Sequence, residues 1–469
     1  MPELFDRRVA IVGSGPSGLF AAQALTRIPG IAVDIYDRLP TPFGLLRYGV
    51  APDHTSIKAI SERLEGVFDS PAIRFLGLVE FGRDVSRAEL LDAYDAVVYA
   101  AGASEDRRMA VPGEDLPGSR SAREFVAWYS GHPDATPQLL EGVQDVVTVG
   151  VGNVAVDVAR ILLRDRAELA ATDMPEAVLA ELRGADIRNV WVVGRRGPQH
   201  ASFTTVELRE LLSDPTVAVT VSDGALDVDE AALDRRTRAN IDVLKEAAAR
   251  VVPNPRAHLG FLFWQRPVGV VGENRVSGVH LERTTLDSSG RVVPAQDAGV
   301  LPADLVLRAI GYRGKPLPGV PFDPTAGVIP NIEGRVTDGF GAVQAREYVV
   351  GWIKRGPLGV IGTNKSDAAE TVRHLLADLA AVPVLSGRLD IDAVLESRGI
   401  NHSSYADWQR IDDAEVARGG TRGRSRTKIE AWHELIDLVA HERPGGPASV
   451  ADGGLTPLEQ REPTIEAPL

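Results

Sequence analysis

The glycine run Gly13-Ser14-Gly15-Pro16-Ser17-Gly18 constrains this chain more tightly than any other stretch of it. A short apolar segment, Val9 to Val12, leads into the run; it is too brief for a helix and is closed at once by glycine, so it reads as a buried strand. Gly13 permits the tight turn, Gly15 lets the backbone approach a pyrophosphate, and Gly18 allows the following helix to pack closely on the strand. That helix is expected from near Pro16, through Leu19 to Ile28, with Pro29-Gly30 as its stop. Ile31 to Tyr36 then alternates as a second strand ending at Asp37. A βαβ unit of this kind offers free N–H groups and a partial positive charge to a diphosphate, and Asp37 has the spacing of a ribose-hydroxyl acceptor. An acid there disfavours a 2′-phosphate, so the first site suits FAD or NAD rather than NADP.

At 469 residues the chain is too long for one comfortable core, and 44% hydrophobic with 25% charged residues is ordinary for a globular protein, so two domains are expected. The absence of cysteine excludes disulfides, thiolate metal ligands, iron–sulfur clusters and a dithiol active site in this chain. A net charge of −14 argues against general nucleic-acid binding, though not against a local basic patch. The first residues do not resemble a signal peptide and no apolar run is long enough for a membrane span; the expectation is a cytoplasmic protein.

Leu39 to His54 carries three prolines and two glycines, so it is neither a regular helix nor a central strand. It is either a plain surface connection or backbone lining a cofactor groove, since it leaves the end of a parallel strand. Tyr94 to Ala103 reads as a further strand of the same sheet, and Val111 to Gly118 has the composition of an interdomain crossing. A second unit begins at Asp145, with strand Val146 to Val149 and the turn Gly150-Val151-Gly152-Asn153-Val154-Ala155, where alanine replaces the third glycine. A helical extension, Asp165 to Gly184, separates it from the strand Val190 to Val193, which ends in Gly194-Arg195-Arg196-Gly197-Pro198. Where the first unit has an acid, this one has two guanidinium groups, which match phosphate oxygens bidentately. A solvated basic pair is the plainer alternative; the fingerprint beside it makes NADP the expected second nucleotide.

Thr204 and Glu207 have capping-box spacing, so helix capping competes with a ligand role for Glu207, and Glu210 lies near the same face. The segments around Leu259 to Gln265 and Val276 to Arg283 read as antiparallel strands of a small subsheet. Leu305 to Gly311 closes the second domain, and Pro316 to Pro324 reads as the return crossing. Glu347 to Trp352 is a strand leading through a glycine-rich turn to a helix from Ser366, a geometry that puts a positive helix end at a ligand. After Ala440 periodicity is lost, and 441–469 is expected to be a disordered tail.

Several runs in order resemble the adrenodoxin-reductase type of NADPH-ferredoxin reductase, especially its actinobacterial members: Leu39 to Leu45, Gly49 to His54, Pro112 to Gly118, Val193 to Pro198, Phe203 to Leu211 and Glu347 to Pro357. The fold class expected is α/β, with two three-layer Rossmann-like dinucleotide-binding domains. The resemblance implies an FAD domain in two parts, 1–106 and 319–440, with an NADP domain, 107–318, inserted between them. It implies FAD contacts at Ser17, Asp37, Leu45, Phe81, Trp352, Gly359, Val360 and Ile361, beside the fingerprint residues Gly13, Gly15 and Gly18. It implies NADP contacts at Arg107, Val151, Gly152, Asn153, Val154, Arg195, Arg196, Glu207 and Gly359, and places His54 and Glu210 near the nicotinamide. Asp37 stands where the family usually has Glu, which shortens the reach to the ribose.

The reaction implied is hydride transfer from NADPH to FAD, then single-electron transfer to a small acidic iron–sulfur protein, a ferredoxin. Arg209, Arg235, Arg236 and Arg238 are the first candidates for docking it; Arg422, Arg424, Arg426 and Lys428 are the second set. A pyridine-nucleotide disulfide reductase needs a redox cysteine pair and is excluded. A flavin monooxygenase, the reductase subunit of a larger synthase, and a redox- or nucleotide-sensing flavoprotein without turnover are the alternatives.

Overall fold

Strands apolar on both faces must be covered on both faces, and the first strands of this chain are of that kind. The computed structural model describes residues 6–54, 60, 63–229, 231, 233–359 and 361–440; Val360 and the tail 441–469 lie outside these. β1 (Arg7–Val12), β2 (Ile31–Tyr36), β3 (Ile73–Leu76), β4 (Ala96–Tyr99) and β18 (Val343–Val349) run parallel in the order β18-β4-β1-β2-β3. Beyond β18, β17 (Arg335–Thr337) and β16 (Asn331–Ile332) continue the sheet antiparallel. Alternate side chains feed opposite apolar clusters, Ile11, Val33 and Val98 on one face, Ala10, Tyr36 and Tyr99 on the other, giving helix–sheet–helix layers.

The second sheet is wholly parallel: β6 (Ser119–Ser121), β7 (Asp145–Val149), β8 (Asn189–Gly194), β9 (Val217–Val221), β10 (Ala257–Phe263) and β14 (Leu305–Arg308), in the order β6-β14-β7-β8-β10-β9. The Leu259 segment is not part of an antiparallel subsheet; β10 runs parallel between β8 and β9, with Leu259, Phe261 and Phe263 buried on one side and Gly260 under the Trp191 ring on the other. A Cβ at Gly260 would stand 2.1 Å from that ring, so the glycine that weakened the alternation is a packing requirement. The antiparallel subsheet consists of β11 (Gln265–Val271), β12 (Gly278–Leu286) and β13 (Val292–Pro302).

The chain passes between the two sheets through β5 (Glu105–Asp106) and β15 (Tyr312–Arg313), which pair antiparallel with Tyr312 opposite Asp106. The turn-rich 111–118 passage lies beyond this crossing, against the subsheet, where the Pro112 and Pro117 carbonyls accept from Val270 N and Val276 N at 2.8 and 2.9 Å. Helix limits differ in detail from the sequence reading. The first helix, Pro16–Leu25, ends ahead of Pro29; the extension divides at Pro175 into Arg166–Ala170 and Glu176–Gly184; the last strand-to-helix turn gives Ile361–Ala381 rather than a start at Ser366. No helix among the described residues is long and apolar enough to cross a membrane.

Candidate functional site

Parallel sheets bind ligands at the carboxyl ends of their strands, and β1 ends there with Val12 between Tyr36 and Tyr99. Gly13 has φ +111°, and a Cβ on it would stand 2.6 Å from the Ala100 carbonyl oxygen; one on Gly18 would stand 2.1 Å from the Gly13 oxygen. Nothing lies within 4 Å of the Cβ position of Gly15, the N-cap of the Pro16–Leu25 helix, so this backbone is open to a ligand. Asp37 accepts from Ser14 N at 2.9 Å, Ser14 Oγ at 2.5 Å and Leu39 N at 3.0 Å, bracing the turn it sits beside.

The 39–54 loop, with one helical turn at Leu45–Tyr48, arches over this turn: a Cβ on Gly44 would lie 3.0 Å from Gly15 Cα. Leu45 is exposed, whereas the Phe81 ring is committed to the core, edge-on to Tyr99 at 5.7 Å. Ser17 Oγ donates to Asn364 Oδ1 at 3.0 Å, which ties the first turn to the last. Gly351, at φ +78°, passes so close to Ser17 that a Cβ would meet its Oγ at 2.1 Å. Next to it Trp352, tilted against Tyr312 at 5.8 Å, buries an indole Nε1 that has no protein partner. Gly359 is exposed at φ +84°, and Ile361 opens the following helix.

The second turn repeats the logic. Gly150 has φ +134° and a would-be Cβ 2.2 Å from the Ala309 oxygen; Gly152 N-caps the Asn153–Leu163 helix, and Ala155 is fully buried. Val151 O accepts from Ser202 N at 2.9 Å, and Asn153 Oδ1 accepts from Thr204 N at 2.8 Å, while Val154 is half-buried beside them. Arg195 is exposed; Arg196 is half-buried, with Nη2 3.4 Å from the Gly290 oxygen and a buried Nε without a partner. Arg107 is exposed next to the crossing, its N–H on the Gly311 oxygen at 3.1 Å.

Of the two roles open to Glu207, the capping box with Thr204 does not form. Thr204 is the N-cap of the Thr205–Leu211 helix, but its side chain makes no capping bond, and its N–H, the donor Glu207 would need, is taken by Asn153. Thr204 Oγ1 and Glu207 Oε2 are left buried without a protein partner. Each such atom costs about 1–3 kcal/mol unless something else meets it. Together with the open Gly15 backbone and the Trp352 indole N–H, they fit a nucleotide at each turn.

The two units meet at His54, which ends the arching loop and is 5% exposed. Its Nε2 is 3.0 Å from Asp157 Oδ1 and 2.7 Å from Arg160 Nη2; its Nδ1 is 3.4 Å from Glu210 Oε2. Burial pulls the imidazole pKa down, but the hydrogen bond to Asp157 and the charges of Asp157 and Asp53 outweigh burial and Arg160, so it lies above its ordinary value. Arg160 in turn holds Asp53 through Nε and Nη2 at 2.8 and 2.9 Å; burial opposes this, yet the Asp53 carboxyl is held below its usual range. The structure thus brings the sequence candidates His54 and Glu210 together, and adds Asp53, Asp157 and Arg160. Asp157 and Arg160 are one helical turn apart inside an amphipathic helix, a pattern that sequence reasoning assigns to solvent.

Of the basic candidates, Arg209, Arg235 and Arg236 are exposed and, with Thr205 and Ala239, line a cavity of about 420 Å³. Arg238 is exposed on the same helix. The second set is consumed internally: Arg422 and Arg424 pair with Glu176, Arg426 with Asp412, and Lys428 lies 3.6 Å from Asp173 and donates to the Arg47 and Ser130 carbonyls at 2.6 and 3.1 Å. No cluster of metal-ligating side chains occurs among the described residues.

Known proteins resemble this chain over nearly all of its length. A family profile described as pyridine nucleotide-disulphide oxidoreductase matches residues 7–183, although a chain without cysteine cannot perform the disulphide chemistry of that description. NADPH-ferredoxin reductase FprA of Mycobacterium leprae is 44% identical over 453 residues, covering 92% of this chain and 98% of the relative. The mitochondrial NADPH:adrenodoxin oxidoreductase of Homo sapiens is 41% identical over 92% of each chain. The solved structure of Mycobacterium tuberculosis FprA in complex with NADPH superposes with a TM-score of 0.86 at 44% identity, covering 92% of this chain and 99% of that one.

Proposed function

This chain belongs to the NADPH-ferredoxin reductases of the adrenodoxin-reductase type, and we propose that its hydride site is the junction where His54 of one nucleotide unit meets Glu210 of the other. The protein is an FAD- and NADP-binding oxidoreductase that delivers electrons from NADPH to an iron–sulfur protein. Bound FAD supplies the conversion of a two-electron hydride into single electrons.

The protein's part is to hold, orient and shield. FAD is held by the Gly13-Gly15-Gly18 turn, with Ser17, Asp37, Leu45, Trp352, Gly359 and Ile361 around it and Phe81 contributing backbone. The unpartnered Trp352 Nε1 supports that reading. NADPH is held by Val151 to Val154, with Glu207, Arg107 and Gly359 nearby and with Arg195 and Arg196 on the 2′-phosphate. The buried unpartnered Glu207 Oε2 and Arg196 Nε support it. The divisions 1–106 with 319–440 for FAD, and 107–318 for NADP, follow the two sheets. The third component, a small acidic iron–sulfur protein, docks on Arg209, Arg235 and Arg236, three exposed residues that line one open surface cavity.

The observation that carries the assignment is the approach of His54 Nδ1 to Glu210 Oε2 at 3.4 Å, because each residue follows the glycine turn of a different unit. Anaerobic titration with NADPH, followed at the flavin band and then by reoxidation with a ferredoxin, tests it. Stoichiometric bleaching and rapid recovery are expected; a flavin that NADPH does not bleach overturns it.

A further inference from the structure

Two groups compete for one nitrogen of His54. Arg160 Nη2, 2.7 Å from Nε2, can only donate; Asp157 Oδ1, 3.0 Å from the same atom, can only accept. A bare Nε2 satisfies Arg160, and a protonated Nε2 satisfies Asp157. We propose that Arg160 is a positioning residue for the hydride site: it holds neutral His54 as the Nδ1–H tautomer directed at Glu210, and Nε2 passes to Asp157 when the ring takes up a proton.

Arg160 is suited to this because it cannot move away. Its side chain is 2% exposed and its guanidinium is fixed by two hydrogen bonds to Asp53, which Arg164 backs at 3.1 Å. Its Nη1 stands 2.9 Å from Asp157 Oδ1, too poorly aligned to count as a hydrogen bond, so the Asp157 oxygen keeps capacity for the ring. The charged groups around His54 are Asp53 from its own loop, which Arg160 and Arg164 hold, Asp157 and Arg160 from the Asn153–Leu163 helix, and Glu210 from the Thr205–Leu211 helix; the buried Tyr129 hydroxyl lies close enough to Asp157, Arg160 and Asp53 to feel their charges. Asp53, Asp157 and Glu210 outnumber Arg160 and Arg164, and Arg164 is shared with Glu168 at 2.7 Å, so carboxylates exceed guanidinium groups around the ring until it is protonated. One proton enters at Nε2 and none leaves Nδ1; Arg160 stays charged throughout. Neither the arginine nor Asp157 needs to touch a nucleotide.

This rests on the assignment of His54 to the hydride site, and the two are tested separately. In the FAD-loaded full chain labelled with ¹⁵N-histidine, the His54 signal is identified by its loss in His54→Gln. Above the ring's titration the wild-type signal should show a protonated Nδ1 and a bare Nε2. In Arg160→Met the tautomer should reverse, because Asp157 is then the remaining partner of Nε2. The His54 titration and the corresponding limb of the rate of flavin reduction by NADPH should both move to higher pH, since a cation has gone and the carboxylates stay. Arg160→Lys keeps the charge and should leave that limb close to wild type. A wild-type ring with Nε2–H above its titration overturns the proposal, as does an Arg160→Met protein with unchanged tautomer and pH profile. If Arg160→Met does not retain FAD, the wild-type tautomer decides alone. Flavin reduction indifferent to His54→Gln would remove the hydride-site assignment and leave the tautomer result standing.

Discussion

Glu415 holds Arg47 with both carboxylate oxygens, at 2.5 and 3.0 Å, and both side chains are buried. Arg47 belongs to the helical turn of the loop that arches over the first glycine run, and its guanidinium also lies over the Trp408 ring at 4.8 Å. Breaking one partner of a buried pair leaves the other charge uncompensated, at a cost of about 3–5 kcal/mol. Glu415→Gln should therefore lower the unfolding free energy by that order and loosen FAD retention. Denaturant titration of the loaded protein checks it; a loss below about 1 kcal/mol, the range of surface ion pairs, would show that the pair is not what secures the loop.

Coenzyme preference should rest on Arg195 and Arg196. A charge-assisted hydrogen bond contributes about 1.5–3 kcal/mol, so losing two corresponds to a factor on the order of 10² to 10⁴. Replacing both with neutral residues should reduce kcat/KM for NADPH strongly and for NADH little. An unchanged NADPH:NADH ratio would falsify the assignment; equal losses for both would indicate a damaged fold.

His54 makes a pH prediction whose sign is fixed by the direction of its shift. Its folded pKa is raised above the ordinary 6.5, with burial opposing and the Asp157 hydrogen bond and carboxylate charges prevailing. The stability it adds is therefore fully present below the unfolded value and is lost as pH rises through the folded one. The stability difference between wild type and His54→Gln should shrink as pH rises through that window. The same variant should slow flavin reduction while keeping its FAD; a variant that loses FAD and reduces normally when reloaded would make His54 a loop fastener instead.

Docking of the iron–sulfur partner should weaken with salt, because rim charges steer association over a Debye length of about 8–10 Å. Arg209, Arg235 and Arg236 replaced by neutral residues should raise the apparent KM for ferredoxin and flatten its salt dependence, with NADPH-driven flavin reduction unaltered. Stopped-flow rates with and without ferredoxin separate the two effects. A ferredoxin rate insensitive to ionic strength in the wild type would sink the electrostatic reading.

Local sequence carried what depends on local geometry. Gly13, Gly15 and Gly18 were legible because each answers a different backbone constraint, and the substitution of Ala155 in the second turn marks where that constraint is relaxed. Spacing misled where a third residue intervened. Thr204 and Glu207 have the interval of a capping box, yet Asn153, far away in sequence, occupies the N–H that the box requires. Arg422, Arg424, Arg426 and Lys428 read as a docking patch because their acidic partners at 176, 412 and 173 come close only in the folded chain. The constellation at His54 was half visible: the loop end could be read, but Asp157 and Arg160, more than a hundred residues on, face it only in the folded chain.

The pairing of Asp106 with Tyr312 also bears on how such proteins can be rebuilt. Opposed residues of an antiparallel ladder have Cα atoms about 5 Å apart, so the polypeptide enters and leaves the second sheet through a single doorway. Cut there, the intervening stretch is a cassette whose free ends are close enough to be joined by a two-residue turn. A cassette of different coenzyme preference, spliced in at the same two strands, would meet the first sheet with its register undisturbed.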